Sequence, residues 1–487
     1  MNVYDYIIIG SGISGLYCGH RLLEKQKNFL ILEKNQIVGG RVKTFAVGSN
    51  KVAMGAGVGR NKKDTLLKKL LNDLNVQNKT YNSNFFYSDK MVVKNIYNIL
   101  YNIRPQLRKD TPLKTTFDNV FSKNISDHFY KTLKITNDIT YENLVIHIYS
   151  NIKKLLQNRN STEQDDFDRL VYNNILVLYN VIINSINDQV NYMEYDPKTF
   201  REYVVDILGI ENYELLTKNL SFTDYEGEDA LLSVLYYGFD DNYEPSEIIS
   251  IKWDDLLDKL HSKLSTQIRT GCTVVSFQNL ADNTFKIVCD QMVKTDNCFS
   301  QQQTFICKKV IFANNMDVIK KYKKVYEIVK HQPFLRVYCQ VDVSGSSGFL
   351  NKLRKNGSTV VDNELCKIIN INRDEGLFMI AYCDNENAET LSKYIENTPQ
   401  NIYFFQNYII DALSLKLEDI KIENIYGFYW TVGTHYYQSK NPLTIDNDIE
   451  KLQNPFENVY VVGECVSKNQ GWVEGALESV EKIFKKL

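Results

Sequence analysis

Paired cysteine motifs are missing from this 487-residue sequence. Nine cysteines (Cys18, Cys272, Cys289, Cys298, Cys307, Cys339, Cys366, Cys383 and Cys465) lie scattered, odd in number and without a C-x-x-C pair. That pattern argues against structural zinc and gives no support to a disulfide framework, so reduced, buried thiols in a cytosol-like compartment are expected. The six histidines show no metal-ligand spacing, and no metal is expected. No apolar run reaches the roughly 18 residues that span a bilayer. The N-terminus enters a strand at once, with no signal peptide, so a soluble, cytoplasmic protein is the expectation. A basic excess is also lacking: 57 Lys and Arg against 59 Asp and Glu give a net charge of −2, which argues against nucleic acid or an anionic membrane as partner. Proline is scarce at 8 while tyrosine reaches 32, a skew that fits an AT-rich genome better than a function.

The length exceeds what one compact core serves, and two interleaved or tandem domains are expected. Tyr6-Ile7-Ile8-Ile9 reads as a buried parallel strand, Ile13 to Glu24 has the apolar spacing of a helix, and Phe29-Leu30-Ile31-Leu32 reads as a second buried strand ending at Glu33. Residues 62–240 show three- and four-residue spacing, as in Leu66, Leu67, Leu70, Leu71 and Leu74, and predict a mostly helical insertion, with 158–165 as a polar loop inside it. Strands return at 273–278 and 285–289, then as a pair at 304–307 and 310–313. Residues 334–341 and 377–382 read as strands of a second sheet, 459–462 as a last buried strand, and 473–486 as a closing helix. The first domain is therefore expected from 1–61, 251–330 and 451–487. The second is expected from the helical 62–250 and the sheet and helices of 331–450.

The chemistry-bearing motifs sit at both ends. Gly10-Ser11-Gly12-Ile13-Ser14-Gly15 fits G-x-G-x-x-G between a strand and a helix. Gly10 permits the tight turn, Gly12 lets a pyrophosphate approach the backbone, and Gly15 lets helix and strand pack closely. Ser14 lies in the first turn of that helix, whose N–H groups and dipole favour anions. Glu33, 23 residues beyond Gly10, is placed to accept hydrogen bonds from a ribose. Val38-Gly39-Gly40-Arg41 follows; alone it reads as a surface turn, but at this distance Gly40 bares backbone and Arg41 can reach a phosphate. The acidic pairs Asp165-Asp166 and Asp240-Asp241 read as solvated loops.

With these motifs the chain resembles the flavin-containing amine oxidases, the family of monoamine, polyamine and L-amino-acid oxidases. The segment Gly463-Glu464 followed by Gly471-Trp472-Val473-Glu474-Gly475-Ala476 is similar to the family's closing signature. The resemblance implies an α/β fold: a Rossmann-like FAD-binding domain with an interleaved α+β substrate domain that includes a helical insertion. It implies FAD as cofactor, held by Gly10, Gly12, Ser14, Gly15, Glu33, Gly40, Arg41, Gly463, Glu464, Trp472 and Val473. Gly55, Ala56 and Gly57 resemble the small-residue turn along the isoalloxazine, although Ala53 stands where the family often has an acid. Val274 resembles the residue beside the adenine. Tyr436 and Trp472 resemble the two aromatic rings that flank the substrate. His435 falls where monoamine oxidases carry the cysteine bonded to the flavin. Arg336 falls where the family usually carries a lysine that assists oxygen; a guanidinium cannot relay protons, but it can stabilise superoxide or bind a carboxylate. Residues 80–250 match nothing in the family. The implied function is an FAD-dependent oxidase of a small-molecule amine or amino acid, with O2 as co-substrate. The alternatives are a related FAD-dependent desaturase or oxidoreductase, and a non-catalytic FAD-binding protein.

Overall fold

A computed structural model describes residues 3–103, 112–136, 139–158, 161–191, 194–221, 223–234, 247–293, 299–314, 316–320, 324–355, 357–439 and 441–487. The first domain is built on a seven-stranded sheet. Its strands run Cys272–Asn279, Phe285–Val293, Phe299–Phe312, Val3–Ile9, Phe29–Leu32 and Ile268–Arg269, with Val459–Val461 added beside Phe299–Phe312. The central pairings are parallel, and alternate side chains of the first two strands feed opposite cores. Ile8 and Ile31 pack under the helices Ile13–Glu24, Trp253–Leu264 and Val473–Phe484, while Ile7, Ile9, Leu30 and Leu32 face the other way. The closing strand thus joins the seven-stranded sheet, and the closing helix packs over it. This is a Rossmann-like α/β arrangement.

The second sheet orders Ile422–Tyr437, Val329–Val341, Leu377–Asp384, Lys367–Asn372, Ser358–Val360 and Phe85–Tyr87. Helices Asn385–Leu391 and Pro399–Leu413 cover one face through Leu335, Val337, Phe378, Ile380 and Phe405. The register slips between Gln332 and Phe334, where Pro333 cannot donate to the ladder. Helices from Asp89–Ile103 to Ile210–Leu220 form a separate apolar cluster.

Several expectations are corrected. The helix Thr65–Asp73 does not open the helical insertion: Leu67, Leu70 and Leu71 pack in the dinucleotide core, because their stripe faces the closing helix. Asn78–Asn82 and Phe85–Tyr87 are strands. Ser161–Asn191 is one helix, so 161–165 is its first turn, whose polar composition imitates a loop. Asp165 lies in that turn with the Arg354 guanidinium at 2.7 Å, and Asp166 is buried rather than solvated; Asp240 and Asp241 lie outside the described residues. The expected strand pair at 304–313 is part of one strand, Phe299–Phe312. The thiols are not all free. Cys272 and Cys289 on adjacent strands form a disulfide with Cα atoms 5.9 Å apart, a pairing that strand register decides and spacing does not reveal. Cys298 lies outside the described residues, and the other six cysteines are free and buried.

Residues 223–229 sew the helical unit to the second sheet. Thr223 donates through its N–H and hydroxyl to Asp384, at 2.8 and 3.0 Å. Gln332 Nε2 donates to the Asp224 carbonyl at 2.6 Å, and the Phe200 N–H to the Glu228 carbonyl at 2.7 Å. Burial, then the neighbouring Asp224 charge, pushes the Asp384 carboxyl far up. Burial likewise pushes Glu228 well above the ordinary carboxyl range, against hydrogen bonds from Ser233 and the Tyr437 N–H. The Ser233 hydroxyl lies 3.0 Å from Glu228 Oε2 and 3.2 Å from the Tyr225 carbonyl. Its one proton serves one of these acceptors at a time, and burial prevails over it at Glu228. The folded state therefore favours protonated Glu228. Its contribution is fully present below an unfolded value of about 4.3 and is lost as pH rises toward the folded value. Glu228→Gln keeps the donor and removes the titration. Its chemical-denaturation stability should gain on the parent between about pH 4 and about pH 7, and an offset that does not change with pH would contradict this.

Candidate functional site

The G-x-G-x-x-G turn closes on itself as its residue types require. Gly10 has φ +106°, and a Cβ there would stand 2.7 Å from the Ala313 carbonyl oxygen; at Gly15 it would strike the Gly10 carbonyl. Gly12 caps the helix, and a Cβ on it would meet nothing within 4 Å, so open space lies in front of this backbone. Ser14 is buried in the first helical turn. Glu33 is fixed at the end of the second strand. Its Oε2 accepts from the Ser11 N–H and hydroxyl at 2.8 and 2.7 Å, and its Oε1 from the Asn35 N–H and side chain at 2.9 and 3.0 Å. The Cys272 N–H donates to the Glu33 carbonyl at 2.8 Å, which brings the strand carrying half-buried Val274 beside it.

The glycine path continues. Gly39 bridges to Gly12, and a Cβ on Gly40, at φ +59°, would lie 3.2 Å from the Gly12 Cα. A Cβ on Gly55 would strike the Arg41 carbonyl, which also accepts from the Ala56 N–H at 3.1 Å. Three side chains that sequence reading missed hold the carbonyls of residues 53–57. Tyr338 donates to Ala53 at 2.7 Å, Trp430 to Met54 at 2.7 Å, and Trp253 to Gly57 at 3.1 Å. An aromatic with a polar tip among apolar neighbours was the signal available, and it does not say where the tip points.

Arg41 and Glu464 meet each other. Arg41 donates to Glu464 Oε1 at 2.6 Å and to the Gly433 carbonyl at 2.6 Å. His435 Nδ1 donates to the same Oε1 at 2.6 Å, and the Gly471 N–H to Oε2 at 3.1 Å. Burial alone would raise this carboxyl, but the His435 and Arg41 charges and the hydrogen bonds outweigh it and hold it far below the usual range. His435 Nε2 is enclosed, with no partner among the described residues. Gly463, at φ +142°, donates its N–H to Ser479 at 2.8 Å, and Val473 opens the closing helix.

Arg336 lies on Val329–Val341, between the edge strand Ile422–Tyr437 and Leu377–Asp384, facing the 53–57 loop. Its Nη2 donates to the Tyr382 hydroxyl at 3.1 Å, its Cζ lies 4.5 Å from that ring's centre, and a Cβ on Gly57 would be 2.7 Å from Nη2. Tyr436 reaches the helical side, where a Cβ on Gly227 would be 2.8 Å from its hydroxyl. Trp472 is stacked under Arg60 at 4.1 Å, and Arg60 is paired with Asp64 at 2.8 Å. No ring contact joins Tyr436 and Trp472 among the described residues. No cluster of metal-ligating side chains occurs among the described residues.

Residues 8–74 match the profile of the NAD(P)-binding Rossmann-like domain. Among solved structures, putrescine oxidase, in a double mutant from a redesign of its cofactor binding, superposes with a TM-score of 0.61 at 11% identity, over 99% of this chain and 98% of that one. This is the fold of that oxidase. In this chain it takes the form of a Rossmann-like domain interleaved with a second sheet. A curated relative, the uncharacterized protein R188 of Acanthamoeba polyphaga mimivirus, is 26% identical over 122 residues. The match spans 22% of this chain and 24% of that protein. No described helix is long and apolar enough to cross a membrane.

Removing the Glu464 charge tests the junction. Glu464→Gln leaves Arg41 and His435 without their shared carboxylate and should cost about 2–3 kcal/mol, the lower end for a buried pair because Arg41 is partly solvated. The folded pKa is depressed, so this contribution is complete above the unfolded value near 4.3 and is lost only as pH falls below it. Denaturation midpoints of the two proteins should stay apart from about pH 8 down to about pH 5 and converge only in stronger acid.

Proposed function

We propose that the protein is an FAD-dependent oxidase acting on an amine or amino acid. One observation carries the reading. Bare backbone meets at Gly12 and Gly40, Gly55 packs on the Arg41 carbonyl and Gly57 on the Arg336 guanidinium, with the Glu33 carboxylate bound to the same Gly-rich turn through Ser11. An extended dinucleotide fits such a track. Its pyrophosphate would lie at Gly12 and the first turn of the helix, its adenosine ribose at Glu33, its adenine near Val274, and its ring system along residues 55–57. Gly463, Glu464 and Val473 would hold the ribityl side. Bound FAD supplies the hydride acceptor and the centre that reacts with oxygen.

The chain's own part is to bind, orient and exclude. Tyr436 and Trp472 would present their faces to the substrate and keep water from its α-carbon. Arg60, stacked on Trp472, fixes that ring. A neutral amine losing hydride would leave a protonated imine, which water hydrolyses to a carbonyl compound and ammonium, while oxygen takes the two electrons with two protons as hydrogen peroxide. Arg336 cannot give up a proton, so it can act on oxygen only as a fixed positive charge.

The purified protein should be yellow and release FAD, not FMN, on extraction. Gly12→Val should fold, because a Cβ there meets nothing in the protein, yet stay colourless because the side chain fills the pyrophosphate's place. A colourless parent protein that takes up no FAD would refute the reading. Bound FAD with no peroxide from any amine or amino acid would shift it to a related oxidoreductase that uses another acceptor.

A further inference from the structure

Two other arginines of this site are paired with carboxylates. Arg60 lies 2.8 Å from Asp64, and Arg41 2.6 Å from Glu464. Arg336 is treated differently. It is 9% exposed, and its neighbours are the Tyr382 phenol, the Tyr338 phenol and the bare backbone of Gly57. No carboxylate among the described residues reaches it within ion-pair distance. Several acids of the adjoining seam are engaged elsewhere: Asp384 by Thr223, Glu226 by Arg201, Glu228 by Ser233, and Asp229 by Tyr195 and the N–H groups of Leu231 and Leu232. A buried cation held by neutral groups is unfavourable, and an arriving anion offsets that cost.

We propose that Arg336 receives a carboxylate, so that the substrate of this site is an amino acid or another amine bearing a carboxylate rather than a simple amine. The inference rests on the oxidase reading for the reaction, but not for the anion site itself. A guanidinium presents a planar fork that matches a carboxylate with two parallel hydrogen bonds. Here the fork is pre-set. Stacking on Tyr382 holds its plane, and Gly57 makes room for both terminal nitrogens, which lie 2.7 and 2.8 Å from where a Cβ would stand. The same charge disfavours a protonated amine lacking a carboxylate.

The test uses the holoprotein with acetate and benzoate, each against its neutral amide, acetamide or benzamide. Binding is followed by perturbation of the flavin spectrum and, independently of flavin, by the shift in melting temperature. The carboxylates should bind at least about tenfold more tightly than the amides. Arg336→Met should abolish that difference while leaving FAD content and amide binding unchanged, and Arg336→Lys should restore part of it. Tyr382→Phe, which removes only one hydroxyl, gives a milder loss and serves if the Met variant does not fold. In turnover, each amino acid should exceed its decarboxylated amine in kcat/KM, and the preference should vanish in Arg336→Met. Equal binding of carboxylate and amide, or full retention of the difference in Arg336→Met, overturns the proposal. A protein that takes up no FAD but is stabilised by carboxylates through Arg336 would overturn the oxidase reading and keep the anion site.

Discussion

Glu464 is the point on which the two ends of the chain close. Its carboxylate accepts from Arg41, from His435 and from the Gly471 N–H, three groups carried by different segments. Arg41 follows the second strand of the Rossmann-like domain, His435 lies on the last strand of the second sheet, and Gly471 precedes the closing helix. A buried carboxylate is costly unless donors surround it. Here the surrounding donors are what lock the two domains in register. The Arg41 carbonyl then sets the 53–57 loop, and that loop sets the distance to Arg336. The site geometry thus follows from satisfying one charge.

The glycine track obeys a different constraint, which is space. Gly15 and Gly55 are glycine because protein backbone stands where a Cβ would go, while Gly12 is glycine although nothing of the protein stands there. The first kind of position is explained by packing alone. The second kind has no packing reason within the chain, and at the start of the first helix it is the position where the proposed pyrophosphate would approach the backbone.

The ends of the chain were legible because short-range rules govern them. The helix Ile13–Glu24 and the strand Phe29–Leu32 fall where their apolar spacing places them. The losses came from long-range effects. Phe299–Phe312 looks like two strands because Lys308 and Lys309 interrupt its apolar pattern. It is one strand because its first part pairs antiparallel with Phe285–Val293 and its last part is clamped in parallel between Val3–Ile9 and Val459–Val461. Thr65–Asp73 has a stripe that would suit either domain, and only the partner helix decides. The Cys272–Cys289 pairing needs the strand register. Arg336 was visible as a departure from lysine, but its tyrosine neighbours were not, since Tyr382 reaches it across a strand pair that nothing local encodes.

The seam of residues 223–229 brings four acids beside the second sheet, yet it does not make that region strongly anionic. Glu228 and Asp384 are pushed toward their neutral forms by burial, and each spends its hydrogen bonds on holding the seam together. Lys367 nearby is likewise pushed down, to about 8, by burial. Arg336 cannot respond in this way, because burial cannot take a proton from a guanidinium. Burial thus moves Glu228 and Asp384 toward neutrality but leaves the Arg336 charge in place, where the guanidinium meets the bare backbone of Gly57.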